Sequence, residues 1–326
     1  MVDLSVDIGS LKLANPIMPG SGTFSEGMAQ AVDLNRIGAL VAKTITPEIR
    51  DGNRQPRVVE LKNGMIASIG IPSKGPEYFI REIVPFYDQF TPPFVASISA
   101  NSAEEFGELS AQISVEGVAA IEVNISCPNL KRDGAAFGMS CEDTAAVVKA
   151  IKQRTDLPIW AKLTPNVGNI GEIAQAAESA GAEALVVANA LLAMAVDTET
   201  FRPKLGNVMG GITGPVVKPI IVRMAYQCAK AVDIPVIGCG GITTVSDVAE
   251  YMLVGCTAVQ VGTASFVHPT AMTDIIDGLV PYLEAQGLSS VTDLIGAMIE
   301  PENDAAGMEN APSIRSVGGM HESSGL

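Results

Sequence analysis

The sequence predicts an α/β protein, a (β/α)8 TIM barrel, on three observations: eight short apolar runs, helical segments between them, and two long connections that follow strand ends. The runs occupy residues 16–20, 39–43, 94–99, 119–124, 158–163, 184–189, 235–238 and 258–262. They are continuous in Val, Ile and Ala rather than alternating, as strands are when a parallel sheet is covered on both faces. An open doubly wound sheet is the alternative, since it uses the same alternation of strand and helix without closing.

Each element has a local reason. Residues 140–155 predict a helix, with Ser140 and Asp143 spaced as a capping box and Val147, Val148 and Ile151 on one face. Segments 173–180 and 248–254 predict helices that stop at Gly181 and Gly255, just before the next strand. The apolar cluster 220–224 predicts core. Connections 44–93, after the second strand, and 190–218, after the sixth, are far longer than usual; such loops tend to be functional, and barrel enzymes build their sites at these strand ends. Residues 1–300 are expected to form one catalytic domain, and the Gly-, Ser-, Asn- and Glu-containing residues 301–326 a flexible tail.

Composition excludes several classes of function. A formal net charge of -15 without a basic stripe argues against nucleic acid, whose phosphates are bound by clustered Lys and Arg. No apolar run reaches the roughly 18–20 residues that cross a bilayer, and the first residues are not a basic segment followed by an apolar one, so a cytoplasmic protein without a membrane partner is expected. Cys127, Cys141, Cys228, Cys239 and Cys256 show no CxxC spacing, so neither disulfides nor a protein-bound metal is expected. With only His268 and His321 present, a His-based triad or two-His metal site is disfavoured, and His268 reads as structural.

The chemistry concentrates at strand ends. NISCPN (124–129) presents Cys127 between Asn124 and Asn129 at the end of the fourth strand. A thiol can act as a general base where its surroundings favour thiolate, and carboxamides offer a donor and an acceptor to a planar cyclic amide. Equally, Cys127 reads as a small buried apolar residue, the common use of a free cysteine. IGCGGI (237–242) and VGTA (261–264) end the last two strands, where barrels bind phosphate through backbone N–H groups. Lys43 and Lys162, in VAKT and WAKL, close apolar strands and point into a site or escape to solvent, because an unpaired buried ammonium is costly.

Together these segments resemble the class 1 dihydroorotate dehydrogenases, above all the class 1B catalytic subunit. The likeness runs from about Leu4 to Ile299 through NPIMPGSGTF, AKTIT, GNRQPRVVE, NISCPN with AFG, KLTPNV, GGITGPVVKP, IPVIGCGGI and AVQVGTA, in family order. The resemblance implies an FMN-dependent barrel oxidising dihydroorotate to orotate in pyrimidine biosynthesis. By it, FMN is held by Ser21, Lys43, Thr44, Ser97, Asn124, Lys162, Ala188, Gly214, Gly240, Gly241, Gly262 and Thr263, with the phosphate against the last four. Cys127 is the base that takes the C5 proton while hydride leaves C6 for flavin N5. Lys43, Ser68, Ile69, Gly70, Ile71, Asn124, Asn129 and Asn189 bind the pyrimidine. The resemblance further implies a homodimer, and a heterotetramer where a separate subunit brings FAD and a [2Fe-2S] cluster.

Three positions depart from the family pattern. Ala67, in MIASIGI, stands where the family has a pyrimidine-binding Asn; Ala190, in ANA, replaces a Thr; and Ser97 replaces an Asn beside the flavin. A buried substrate group left without its partner costs about 1–3 kcal/mol, so a related FMN oxidoreductase acting on another dihydropyrimidine or cyclic amide is the second reading. A non-catalytic flavoprotein subunit or a non-redox phosphate-binding barrel is the third.

Overall fold

A computed structural model describes residues 2–126 and 136–301. The eight predicted runs become β1 (Ile17–Pro19), β2 (Leu40–Val41), β3 (Phe94–Ile98), β4 (Ala120–Asn124), β5 (Ile159–Lys162), β6 (Ala184–Val187), β7 (Val236–Cys239) and β8 (Ala258–Val261). They pair in parallel in the order β1-β8-β7-β6-β5-β4-β3-β2. The Gly38 N–H donates to the Ile17 carbonyl at 2.8 Å, bringing the chain that enters β2 back against β1. Strand order follows chain order around the ring, whereas a doubly wound sheet reverses it, so the barrel stands.

Helices Ala103–Ile113, Cys141–Lys152, Ile170–Ser179, Lys218–Ala231, Val245–Leu253 and Ala271–Ala285 follow the strands. Their starts are fixed by side chains that satisfy orphan N–H groups: Ser102 accepts from Glu105, Ser140 from Asp143 and Asn169 from Gly171. The cluster 220–224 is only partly core. Ile221 and Met224 are buried but Ile220 is 41% exposed, because a helix turns adjacent residues to different faces.

Two features carried no local signal. The antiparallel pair Val6–Ile8 and Leu11–Leu13 precedes the barrel, with Ile8 and Leu13 fully buried and Gly9 beside Glu183 at the entry to β6. The long connections also contain strands. Val58–Leu61 and Gly64–Ala67 from the first, with Leu191–Ala193 and Gly210–Thr213 from the second, form one four-stranded antiparallel sheet. Ala67 pairs with Gly211, and Leu191 with Ile212. Strands this short are stabilised by partners distant in sequence, not by their own propensity. No described helix is long and apolar enough to cross a membrane. The expected tail lies, beyond Pro301, outside the described residues.

Candidate active site

The C-terminal ends of the strands and the four-stranded sheet enclose a cavity of about 1710 Å³. Ser21, Lys43, Thr44, Asn124, Lys162, Asn189 and Thr263 line it from the barrel side, and Ser68, Ile69, Gly70 and Ile71 from the first long connection. Residues from six different strand ends, singled out separately in the sequence, thus face one space. Cys127 and Asn129 lie outside the described residues.

The floor is a buried polar chain. Side chains alternate along a strand, so Glu122 and Asn124 of β4 point to the same side. Lys162, only 4% exposed, donates to Gln260 Oε1 at 2.7 Å and to Ser21 Oγ at 3.1 Å, and its Nζ lies 3.5 Å from Glu122 Oε1. Gln260 Nε2 donates to Glu122 Oε2 at 2.6 Å. Ser97 Oγ donates to Glu122 Oε1 at 3.2 Å and lies 2.9 Å from Thr44 Oγ1. Lys162 therefore neither escapes to solvent nor stands as an uncompensated charge. Ser97 is fully buried behind Thr44, one layer below the cavity wall.

Glu122 and Gln260 were not among the residues expected from sequence. The signal was present: each is a polar residue with apolar neighbours on both sides inside a fully buried strand, AIEVN and AVQV.

Carboxamides gather on the wall above. Asn189 Nδ2 donates to Asn124 Oδ1 at 3.2 Å and to Ser126 Oγ, and Ser126 Oγ donates to Asn124 Oδ1 at 2.6 Å. Asn166 Nδ2 donates to the Ala190 carbonyl at 3.2 Å, and its Oδ1 accepts the Leu192 N–H at 2.9 Å, tying KLTPNV to the second long connection. Across the cavity, Ser68 Oγ accepts from Asn53 at 2.9 Å and from Asn207 at 3.0 Å, joining both connections. Ile71 beside it takes φ 47°, a strained conformation for a β-branched residue. Ala67 and Ala190 both line the cavity. They flank Gly211, where an added Cβ would lie 2.4 Å from that of Ala190, so the wall is closely packed there, with small apolar residues where the resemblance leads one to expect two larger polar ones.

The glycine turns meet behind this wall. Gly241 has φ 73°, and a Cβ there would lie 2.8 Å from Lys218 Cβ and 2.9 Å from the Gly214 carbonyl. The turn is therefore closed to any larger residue, at the N-terminus of helix Lys218–Ala231, where backbone N–H groups favour anions. Tyr251 Oη donates to the Gly240 carbonyl at 2.6 Å. Asp247 holds the next residues: its Oδ2 accepts the N–H of Thr243 at 2.8 Å and of Thr244 at 2.9 Å, while Oδ1 accepts from Lys218 Nζ at 2.7 Å. Burial would push the Asp247 carboxyl up, but the Lys218 ammonium and the threonine donors outweigh it and hold the group down at about 2. Gly262 lies in the neighbouring turn, and Ala188 follows β6, its N–H donating to the Cys239 carbonyl at 3.1 Å. Burial raises the thiols of Cys239 and Cys228, the latter to about 12, so neither is a thiolate at neutral pH. His268 is exposed at the rim, its Nε2 3.0 Å from Asp274 Oδ2.

A polar floor, a wall of amides and a tight glycine turn at a helix N-terminus suit a planar heteroaromatic group carrying a phosphate. Thr213 Oγ1, on the residue before Gly214, is buried without a protein partner.

The family profile for dihydroorotate dehydrogenase matches residues 3–283. The chain belongs to this family. Among its relatives, a protein of Desulforamulus reducens is 46% identical over 91% of this chain and 98% of its own length. One of Trichlorobacter lovleyi is 47% identical over 90% and 98%, and one of Porphyromonas gingivalis 42% identical over 93% and 100%. Each is named dihydroorotate dehydrogenase B (NAD(+)), catalytic subunit. The family match spans all eight barrel strands and both long connections.

Proposed function

We propose that this chain is a cytoplasmic FMN-dependent dehydrogenase that oxidises dihydroorotate to orotate in pyrimidine biosynthesis, its residues 1–300 forming the catalytic domain. The observation that carries the reading is the convergence of Lys43, Thr44, Asn124, Lys162 and Asn189 on one cavity in a chain of this family. FMN, when bound, supplies the acceptor for the hydride that leaves substrate C6. Cys127 takes the C5 proton, so that the substrate loses a hydride and a proton in all.

The remaining roles follow from side-chain chemistry. Lys43 and the amides of Asn124, Asn129 and Asn189 bind the substrate carboxylate and ring, with Ser68, Ile69, Gly70 and Ile71 on the opposite side. Ser21, Lys43, Thr44, Ser97, Asn124, Lys162, Ala188 and Gly214 support the flavin, and Gly240, Gly241, Gly262 and Thr263 its phosphate through backbone donors. The names of the relatives call for a companion subunit. We assign this chain to a homodimer, and to a heterotetramer where a subunit bearing FAD and a [2Fe-2S] cluster carries electrons on to NAD.

Anaerobic titration of the FMN-loaded protein with dihydroorotate tests the activity, with bleaching of the flavin band expected. Cys127→Ala is expected to keep FMN and lose that bleaching; unchanged reduction kinetics would remove Cys127 from the role. Ala67 and Ala190 in the cavity wall favour a second reading, a related cyclic-amide substrate. It predicts bound flavin that dihydroorotate fails to reduce.

A further inference from the structure

Glu122 is fully buried at the middle of β4, where an ionised carboxylate is costly unless paired and hydrogen-bonded. Both its oxygens are engaged, Oε2 by Gln260 and Oε1 by Ser97, with Lys162 at 3.5 Å. These contacts fix the Gln260 amide in one direction. Its NH2 faces the carboxylate and its oxygen faces the ammonium; the reverse would set oxygen against oxygen and donor against donor. The ammonium stands in front, lining the cavity beside Ser21 and Thr44, and the carboxylate stands behind it.

Resting on the flavin reading of this cavity, we infer that Glu122 is a positioning residue: directly and through Gln260 it holds the Lys162 ammonium at the floor and balances its charge, and so sets how far reduced FMN is favoured over oxidised FMN. Flavin reduced at neutral pH carries more negative charge than the oxidised form. A lone cation beneath it would favour reduction, and a carboxylate behind that cation moderates the preference. Neutralising Glu122 without changing its shape tilts the balance toward the reduced form. Removing the Lys162 charge tilts it the other way, and removing both returns it close to its starting point. A role in packing alone weakens binding of both forms alike.

The experiment uses the full chain loaded with FMN, and reads the ratio of affinities for reduced and oxidised FMN from the reduction potential of bound against free flavin. Glu122→Gln should raise the ratio about tenfold and Lys162→Met lower it about tenfold, with the double variant within about threefold of the native protein. Unchanged ratios, or single variants that move in the same direction, overturn the inference. If Glu122→Gln alone does not fold, the double variant decides, because removing both members of a buried pair is better tolerated than removing one. Its ratio must then lie nearer the native value than that of Lys162→Met; a ratio no nearer overturns the inference. A native chain that takes up no FMN refutes the flavin reading instead. The pairing is then read from urea unfolding of the same proteins: a double variant more stable than Lys162→Met supports it, and additive losses overturn it.

Discussion

Replacing Asp247 by Asn tests the support beneath the glycine turn, because the two side chains have the same shape and differ in charge. In the native protein the carboxylate accepts from Lys218, Thr243 and Thr244, and its carboxyl is held down from 3.8 to about 2. A depression of that size corresponds to roughly 2 kcal/mol of stability at neutral pH. Lys218 is partly exposed, and solvent screening lowers the figure to about 1–2 kcal/mol. Because the folded-state value lies below the unfolded one, this stability is complete above pH 3.8 by a unit or more, and is lost as pH falls through about 2. Urea unfolding of Asp247→Asn at pH 6 should therefore show a loss of about 1–2 kcal/mol, and the gap from the native protein should shrink to about half by pH 3. A gap that stays constant across this range, or no gap at pH 6, would refute the assignment of the charge to Asp247.

Gly241→Ala forces a left-handed φ of 73° on a residue with a Cβ and sets that Cβ against Lys218 and the Gly214 carbonyl, so a loss of about 2–4 kcal/mol in urea unfolding is expected, together with release of FMN on gel filtration. Full stability and retained flavin would mean that the turn is not the phosphate seat. Ala67→Asn with Ala190→Thr restores polar groups to the cavity wall and should tighten orotate binding about tenfold or more, measured by perturbation of the flavin spectrum. Unchanged affinity would show that neither position meets the substrate.

The placement of Asn124 and Lys162 on one cavity was legible because strand ends in a barrel share one face, so a residue placed at such an end is also placed in space. The partnership of Glu122 and Gln260 is not written locally, because each strand by itself reads as core and only closure of the barrel brings residues 138 apart to a 2.6 Å hydrogen bond. The clip of Asn53 and Asn207 on Ser68 was hidden for the same reason, since its members lie on separate connections.

By itself the sequence determined the eight strands and the polar residues that stand at their ends, because burial on both faces and turn chemistry are written locally. Tertiary structure alone decided that the two long connections pair into a sheet over the mouth, and that Lys162 is matched by a carboxylate beneath it. Those outcomes depend on contacts between distant segments, whose energy exists only once the chain has closed on itself.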